Sequence, residues 1–258
     1  MPGPDGRAPR ERYLTIYGRQ AVLEALADPE LAVAQVFVAD DVDQRTGRQV
    51  RESASSRGVS VQVVTRDRVT RLSGTGKQHQ GVAADIESPN RSSLSDWIDR
   101  LSDDVRPVGC VLLDGITTPA NVGMIIRSAT AAGLDGIVVP SRGVADIGPL
   151  VIKASAGVAF RAPLLRVRTA GEAAELLCGA GFDLVGLGAD GPDDLWGATF
   201  SPRTAFVLGA EHDGLSPEVA GLVTRTMRIA LANGVESLNV SAAGAVVFYE
   251  WRRRLAVW

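Results

Sequence analysis

Residues 108–140 read VGCVLLDGITTPANVGMIIRSATAAGLDGIVVP, and this stretch carries the pattern from which the fold is predicted. The apolar run Val108–Leu113 is typical of a buried strand, and Asn121–Ala132 has the apolar spacing of a helix. A second apolar run, Gly136–Pro140, follows after a short turn. The order strand, helix, strand predicts one repeat of an α/β domain with a parallel sheet.

The same alternation continues to the end of the chain. The further predicted elements are a helix at Ala170–Ala180, strands at Asp183–Leu187, Thr204–Leu208 and Met227–Leu231, and a final helix at Val240–Arg254. Strands that alternate with helices in this way predict an α/β fold in which helices cover both faces of a parallel sheet.

The residues before this domain predict a second, smaller α/β domain. Its predicted elements are a helical face at 21–26, strands at Val36–Ala39 and Val59–Val64, and helices at Val50–Arg57 and Asp67–Leu72. The segments on either side of it lack periodic apolar positions and are rich in Pro, Ser, Gly or Asp. We therefore expect a flexible tail over residues 1–12, the small domain over 13–88, a linker over 89–106 with one short helix, and the large domain over 107–258.

Composition restricts the class of protein without identifying a substrate. The 258 residues have a net charge of −3 and two cysteines, and no apolar run is long enough to cross a membrane. We therefore expect a cytoplasmic protein with no membrane partner and no disulfide framework. Between residues 44 and 81, however, eight Arg or Lys residues stand against two acids. This local excess suits a phosphate-binding face, although a solvated helix face explains it equally well.

Three polar clusters follow predicted strands of the large domain. The first contains Asn121 and Arg127, the second is Gly209–Glu218, and the third, Asn233–Ser241, leads into the last helix. Ligands of open α/β sheets bind at the carboxyl ends of the strands, so the clusters predict a binding site. Taken singly, each has an ordinary structural explanation, such as Asn121 acting as the N-cap of its helix.

In combination the clusters are far more specific. The order Asn121-x5-Arg127, then Leu208-Gly-Ala-Glu211-x2-Gly214-Leu215, then Glu236–Ser241 resembles the three motifs of the SpoU, or TrmH, family of RNA ribose methyltransferases in the SPOUT class. The segment Lys153–Gly157 is also similar to that family. The segments Ile16–Ala25 and His79–Ala83 resemble the L30e-like substrate-binding domain of the family's 23S rRNA guanosine-2′-O-methyltransferase branch. The resemblance covers residues 13–255.

This resemblance implies a fold and a reaction. It implies a trefoil knot in the parallel-sheet domain, a bound S-adenosylmethionine, and a homodimer whose active sites draw on both subunits. The implied reaction is methylation of a ribose 2′-hydroxyl in RNA, foremost a guanosine of 23S rRNA, without a metal ion. A tRNA ribose methyltransferase and a non-catalytic RNA-binding or ribosome-assembly factor remain as alternatives. A nucleotide-binding oxidoreductase is disfavoured, because Gly186–Gly191 lies too late in the chain and lacks the full phosphate-binding fingerprint.

The resemblance also assigns roles to individual residues. The implied catalytic residues are Asn121, Arg127, Glu211, Ser237 and Asn239. The implied cofactor-binding residues are Leu187, Gly188, Ala189, Leu208, Gly209, Ile229, Leu231 and Leu238. The predicted RNA-binding residues are Arg19, Lys77, His79 and Gln80. Because a guanidinium stays protonated and is a poor base, we expect Arg127 to bind a phosphate by a forked hydrogen bond, with the hydroxyl proton going to that phosphate or to water.

One stretch departs from the family pattern. Ile-Pro-Met, then a small or apolar residue and Gly, are usual in the third motif, whereas this chain has Ile229-Ala230-Leu231-Ala232-Asn233. The absence of proline at Ala230 loosens a loop expected to hold the cofactor, and Asn233 must adopt a conformation that is easier for glycine. We therefore expect cofactor binding that is weaker than usual for the family.

Overall fold

The computed structural model describes residues 13–74, 78–88, 91–101, 106–211 and 213–255. The predicted tail, residues 1–12, and the predicted RNA-binding residue Lys77 lie outside the described residues. Contacts divide the chain into two compact units. The first unit lies within Met1–Pro89 and includes Ile147–Pro149, and the second lies within Asn90–Asp146 and Leu150–Trp258.

The first unit is built on a four-stranded sheet in the order β1-β4-β2-β3. Its elements are β1 (Tyr13–Tyr17), α1 (Arg19–Ala27), β2 (Val33–Ala39), α2 (Gln44–Ser56), β3 (Val61–Val64), α3 (Arg66–Ser73) and β4 (Val82–Glu87). Strand β4 pairs antiparallel with β1 and with β2, whereas β2 and β3 are parallel. Phe37 and Ala83 of the two central strands pack with Val69 of α3 in a small apolar core.

Side-chain caps decide where two helices of this unit begin. The carboxylate of Asp43 accepts the backbone N–H of Thr46 at 2.9 Å and so caps α2. Thr65 caps α3 in the same way. The helix predicted at Val50–Arg57 is therefore the later part of a longer helix, because the cap lies well upstream of the apolar pattern. Strands β1 and β4 are absent from the sequence prediction.

The second unit is built on an eight-stranded parallel sheet, which confirms the predicted fold class. The strand order is β10-β12-β9-β11-β6-β7-β8-β5. The elements are β5 (Ser92–Ser93), α4 (Leu94–Arg100), β6 (Val108–Leu113), α5 (Pro119–Ala132), β7 (Gly136–Pro140), α6 (Pro149–Ala154), β8 (Leu164–Val167), α7 (Ala170–Gly179), β9 (Asp183–Leu187), β10 (Asp193–Asp194), β11 (Arg203–Leu208), α8 (Pro217–Ala220), β12 (Arg225–Arg228) and α9 (Val240–Leu255). Short 3-10 turns lie at Val158–Phe160 and Leu195–Gly197.

Helices cover both faces of this sheet, as predicted. Side chains alternate between the two faces of a strand, and β11 shows both environments. Its residues Ala205 and Val207 belong to the core cluster that includes Leu177 of α7. Phe206, on the opposite face, packs against Phe248 of α9 with ring centroids 6.2 Å apart. The pattern of a continuous apolar strand thus reflects burial on both sides.

Two sequence predictions need correction in this unit. The described part of the predicted linker is packed into the fold, because Ser92–Ser93 pair with β8 and Leu94 and Trp97 are buried in the main core cluster. The strand predicted at Met227–Leu231 is β12 and ends at Arg228, so the following residues are free to form a loop. Strand β8 is absent from the sequence prediction. The trefoil knot implied by the resemblance stays a prediction.

No helix in the described part of the chain is long and apolar enough to cross a membrane.

Candidate functional site

A cavity of about 830 Å³ opens where β9, β11 and β12 end. The carboxyl ends of these strands lie at one edge of the parallel sheet, which is where such sheets bind ligands. Its lining residues are 187–190, 208–211, 213–215, Met227, Ile229, Leu231, 236–240 and Ala243. The wall therefore combines the loop after β9, the second cluster, the third cluster and the start of α9.

All eight residues predicted to bind the cofactor line this one cavity. Leu187 and Leu208 are the last residues of β9 and β11, and Ile229 follows β12 directly. Three of the predicted catalytic residues, Glu211, Ser237 and Asn239, line the cavity as well. Segments far apart in sequence thus meet because parallel strands end at the same edge.

Gly209 allows the second cluster to fold into a closed turn. A Cβ atom placed on Gly209 would lie 2.5 Å from the backbone C and O atoms of Gly214, so no side chain fits there. The turn is held by two hydrogen bonds, from Ala210 N–H to the Gly214 oxygen at 2.8 Å and from Gly214 N–H to the Ala210 oxygen at 3.0 Å. Gly214 itself has a φ of 68°, which favours glycine. This closed turn positions Glu211.

Glu211 is the centre of a hydrogen-bond network that joins all three clusters. Its Oε1 accepts the side-chain N–H of Asn121 at 3.0 Å and that of Asn239 at 2.7 Å. Asn239 also donates to Oδ1 of Asn121 at 3.1 Å. Ser241 donates its backbone N–H, at 2.9 Å, and its hydroxyl, at 2.6 Å, to Oδ1 of Asn239. The two amides are therefore oriented by several partners at once.

Of the two asparagines in the network, only Asn239 caps a helix. Helix α5 begins at Pro119 with Thr118 as N-cap, so Asn121 does not have the capping role that was its ordinary structural explanation. Asn121 lies inside the first turn and is buried, with 5% of its surface exposed. Asn239 does cap α9, because its side chain accepts the N–H of Ser241 in the first turn.

Arg127 does not contact the Glu211 network of its own chain. It lies six residues after Asn121, which is about 240° further around a helix of 3.6 residues per turn. Its side chain is exposed, whereas Asn121 is buried. Arg127 forms no hydrogen bond or ion pair with the described residues, and it is not among the residues that line the cavity.

Two polar residues near the site have no role in the sequence prediction. Asp114 follows β6 and is buried, and its Oδ2 accepts the N–H of Ser216 at 2.6 Å while its own N–H donates to the Leu208 oxygen. Asp114 therefore holds both ends of the second cluster, through Leu208 just before it and Ser216 near its end. Ser241 orients Asn239. An acid directly after a fully apolar strand was the available signal for Asp114.

The third cluster has the backbone expected of it in one respect. Asn233 has a φ of 57°, which confirms that this position adopts a conformation easier for glycine. Residues 231–239 are all exposed, including the apolar side chains of Leu231, Val235 and Leu238. Among the described residues, no group of three or more His, Cys, Asp or Glu side chains could hold a metal ion.

In the first unit, the structure corrects the role predicted for His79. His79 is fully buried, so it cannot contact RNA directly. Its Nδ1 accepts the N–H of Gly81 at 2.9 Å, and its Nε2 lies 3.1 Å from the Thr70 hydroxyl. Gln80 and Arg19 lie together nearby, because Oε1 of Gln80 accepts the backbone N–H of Arg19 at 3.1 Å. His79 therefore holds the loop that presents Gln80.

A sequence model of the SpoU rRNA Methylase family matches residues 109–249, the segment that contains the cavity and the whole network. The chain belongs to the SpoU rRNA methylase family. A second model, described as RNA 2′-O ribose methyltransferase substrate binding, matches residues 15–92 of this SpoU methylase.

Relatives of this SpoU methylase resemble it over almost the whole chain. An "Uncharacterized tRNA/rRNA methyltransferase" of Mycolicibacterium gilvum is 34% identical over 243 residues, which cover 93% of this chain and 76% of that protein. The 23S rRNA (guanosine-2′-O-)-methyltransferase RlmB of Neisseria meningitidis serogroup B is 29% identical over 240 residues, covering 93% and 94%. The AdoMet-bound rRNA methyltransferase from Sinorhizobium meliloti matches in structure with a TM-score of 0.62 and 25% identity, covering 95% of this chain and 88% of that one.

Proposed function

We propose that this SpoU methylase transfers the methyl group of S-adenosylmethionine to the ribose 2′-hydroxyl of a guanosine in 23S rRNA. The observation that carries the proposal is the meeting of three separate motifs around one cavity, with Glu211, Asn121 and Asn239 bonded together at its rim. A relative named as a 23S rRNA guanosine methyltransferase supports the substrate. Such a reaction belongs in the cytoplasm, where we place the protein.

The cavity fits S-adenosylmethionine in size and in character. Its volume of about 830 Å³ falls within the roughly 300–1,000 Å³ of small-molecule sites. Leu208, Leu231 and Leu238 offer apolar contacts for an adenosine, and Gly188 and Gly209 contribute backbone to the same wall. When bound, the cofactor supplies an electrophilic methyl group on a sulfonium. We propose that the eight predicted residues hold it.

The network at the rim would orient the substrate ribose. Both amide donors to Glu211 use Oε1, so Oε2 has no hydrogen-bond partner among the described residues and can accept one from a ribose hydroxyl. Asn121 and Asn239 hold the carboxylate in place, and Ser237 adds a hydroxyl to the same wall. In a methyl transfer the protein contributes mainly by positioning, and a fixed carboxylate provides this.

We propose that a second copy of the chain completes each active site. Helix α5 exposes Ala120, Met124, Arg127 and Ala131, which recur at the helical period on one face. Tyr249 of the neighbouring α9 is also exposed, with 53% of its surface accessible. A homodimer through this face would cover the exposed apolar surface. It would also let Arg127 of the partner subunit reach the rim and bind a substrate phosphate.

Cofactor and RNA specificity are tested together. Titration calorimetry of the full chain with S-adenosylmethionine should show binding, and radiolabelled methyl transfer should modify a 23S rRNA transcript and leave tRNA transcripts unlabelled. If only the tRNA transcripts are labelled, the substrate is tRNA and the 23S rRNA proposal is refuted. If the chain does not bind the cofactor at millimolar concentration, with or without RNA, the enzymatic proposal is refuted in favour of a non-catalytic RNA-binding factor.

The shared active site is tested by mixing two inactive variants. In a dimer of Arg127→Ala with Gly209→Val, one of the two sites combines an intact cavity with an intact arginine. A re-equilibrated one-to-one mixture should therefore recover about a quarter of wild-type transfer, since half of the dimers are mixed. No recovery, with mixed dimers verified by tag capture, would place Arg127 in its own subunit's site. Separately, Arg127→Lys with normal turnover and RNA affinity would exclude the forked phosphate contact.

A further inference from the structure

Two arginines lie on the same sheet edge as the cavity, beyond the motifs of the family. Strands β7 and β8 are parallel neighbours, and the residues that follow them continue side by side. The N–H of Ser141 donates to the Val167 oxygen at 2.9 Å, and the N–H of Arg142 donates to the Arg168 oxygen at 3.2 Å. The two arginine backbones are thus fixed next to each other at the carboxyl edge of the sheet.

Neither guanidinium is committed to a structural role. Arg142 is exposed and forms no side-chain hydrogen bond or ion pair with the described residues. Arg168 approaches only Glu172, at 3.7 Å, and 71% of its side chain is exposed. An exposed pair at this distance contributes little and is readily exchanged for another anion. Gly143, next to Arg142, has open space around it, so a ligand can approach this turn.

The pair is connected to the rim of the cavity through the intervening loops. The turn after β7 is bonded to the first cluster, because the N–H of Ala145 donates to the Ile116 oxygen at 3.0 Å. The next residue back, Gly115, lies against Ala210, the neighbour of Glu211. Only β6 separates β11 from β7 in the sheet, and β8 is the next strand. With strands about 4.8 Å apart, the arginines stand roughly 10–15 Å from the second cluster.

We infer that Arg142 and Arg168 form a phosphate-binding site for the RNA segment that adjoins the methylated nucleotide. Guanidinium forks are matched to phosphate oxygens, and a single strand laid across the carboxyl edge would place neighbouring phosphates over the pair. The inference rests on the proposed function, because it takes the ribose at the rim as its reference point. It assigns RNA binding to the second unit as well as to the first.

Salt dependence of RNA binding tests the pair directly. Binding of the full chain to a 23S rRNA transcript is measured from 50 to about 300 mM salt for wild type and for Arg142→Gln/Arg168→Gln. Each phosphate contact to a single strand adds about 0.7 to the slope of log K against log salt concentration, so the double variant should lose about 1.4. Arg142→Gln alone and Arg168→Gln alone should each lose about half of that. The double variant should require a higher RNA concentration for half-maximal methyl transfer, and its affinity for S-adenosylmethionine should be unchanged.

The matched control removes two arginines from the opposite edge of the same sheet. Arg106 and Arg161 precede β6 and β8 and are also exposed, so Arg106→Gln/Arg161→Gln changes the net charge equally. Because Arg106 forms an ion pair with Asp135, a thermal melt first verifies that this variant is folded. Its slope should stay at the wild-type value. An unchanged slope in the Arg142/Arg168 variant, or equal losses in both double variants, would overturn the inference. RNA binding is measured without methyl transfer, so the test remains valid if the protein has no methyltransferase activity. If wild type is active but its salt slope does not depend on Arg142 and Arg168, this inference is refuted and the proposed function stands.

Discussion

Gly209→Ala should open the turn that shapes the cofactor cavity. The added Cβ would lie 2.5 Å from the C and O atoms of Gly214 and 2.8 Å from the N atom of Leu215. These are backbone atoms, so they cannot move aside as the end of a flexible side chain can. The strain is relieved when the turn opens, which breaks the two hydrogen bonds between Ala210 and Gly214.

The size of the effect follows from those two bonds. Each contributes about 1 kcal/mol to stability, so opening the turn costs about 2 kcal/mol. This would lower the midpoint of thermal unfolding by about 4–8 °C in a chain of this size. Cofactor binding needs the closed turn, so binding must supply the part of the strain that exceeds the two re-formed hydrogen bonds. Each 1.4 kcal/mol of that excess lowers affinity about tenfold.

Calorimetric titration with S-adenosylmethionine and a thermal melt of the same preparation measure both quantities. Gly179→Ala is the matched control, because Gly179 ends helix α7 and nothing lies within 4 Å of its added Cβ. That variant should bind the cofactor normally and melt no lower than wild type, since alanine favours a helix over glycine. Wild-type affinity and melting of Gly209→Ala would refute the close-approach argument.

Three further predictions concern positions away from the cavity. Gly109→Ala would place a Cβ 2.6 Å from the buried indole of Trp251, so it should cost about 1–3 kcal/mol without changing cofactor affinity, and Trp251→Phe should recover part of that loss in a thermal melt. Glu250→Gln should destabilise the protein at pH 7, because Arg253 and Arg254 hydrogen-bond the Glu250 carboxylate and lower its pKa. A carboxylate with a lowered pKa stabilises the fold above its ordinary pKa of about 4.3 and loses this effect as the pH falls through the lowered value, so melting curves of variant and wild type should converge in acid, and a constant gap would contradict the assignment. His79→Ala should leave the buried N–H of Gly81 without an acceptor and speed its hydrogen exchange, with a loss of about 1–3 kcal/mol, whereas unchanged exchange would show that another group holds the loop.

Two predictions differ from the structure because they depended on local composition, whereas long-range contacts decide burial and strand pairing. His79 stands in a polar, glycine-rich stretch typical of a surface loop, yet it is buried, with Nδ1 accepting the N–H of Gly81 and Nε2 beside the Thr70 hydroxyl. Ser92–Ser93 have the composition of a linker, yet they form a strand because β8 presents an unpaired edge to them. Neither a fold-back nor an available edge is written in a local pattern.

The sequence by itself determined the parallel α/β fold, and its resemblance to the SpoU family supplied the residues that were expected around the cofactor. Apolar runs of strand length that alternate with helices predict a parallel sheet, and polar clusters directly after those runs are expected at its carboxyl edge. Tertiary structure decided which of the clustered residues touch. Asn121 and Arg127 share one motif and lie on different faces of α5, and the packing of this helix buries Asn121 against Glu211 and leaves Arg127 exposed. The environment of a helical side chain depends on how the whole helix packs, and long-range contacts, including those with α9, set this packing.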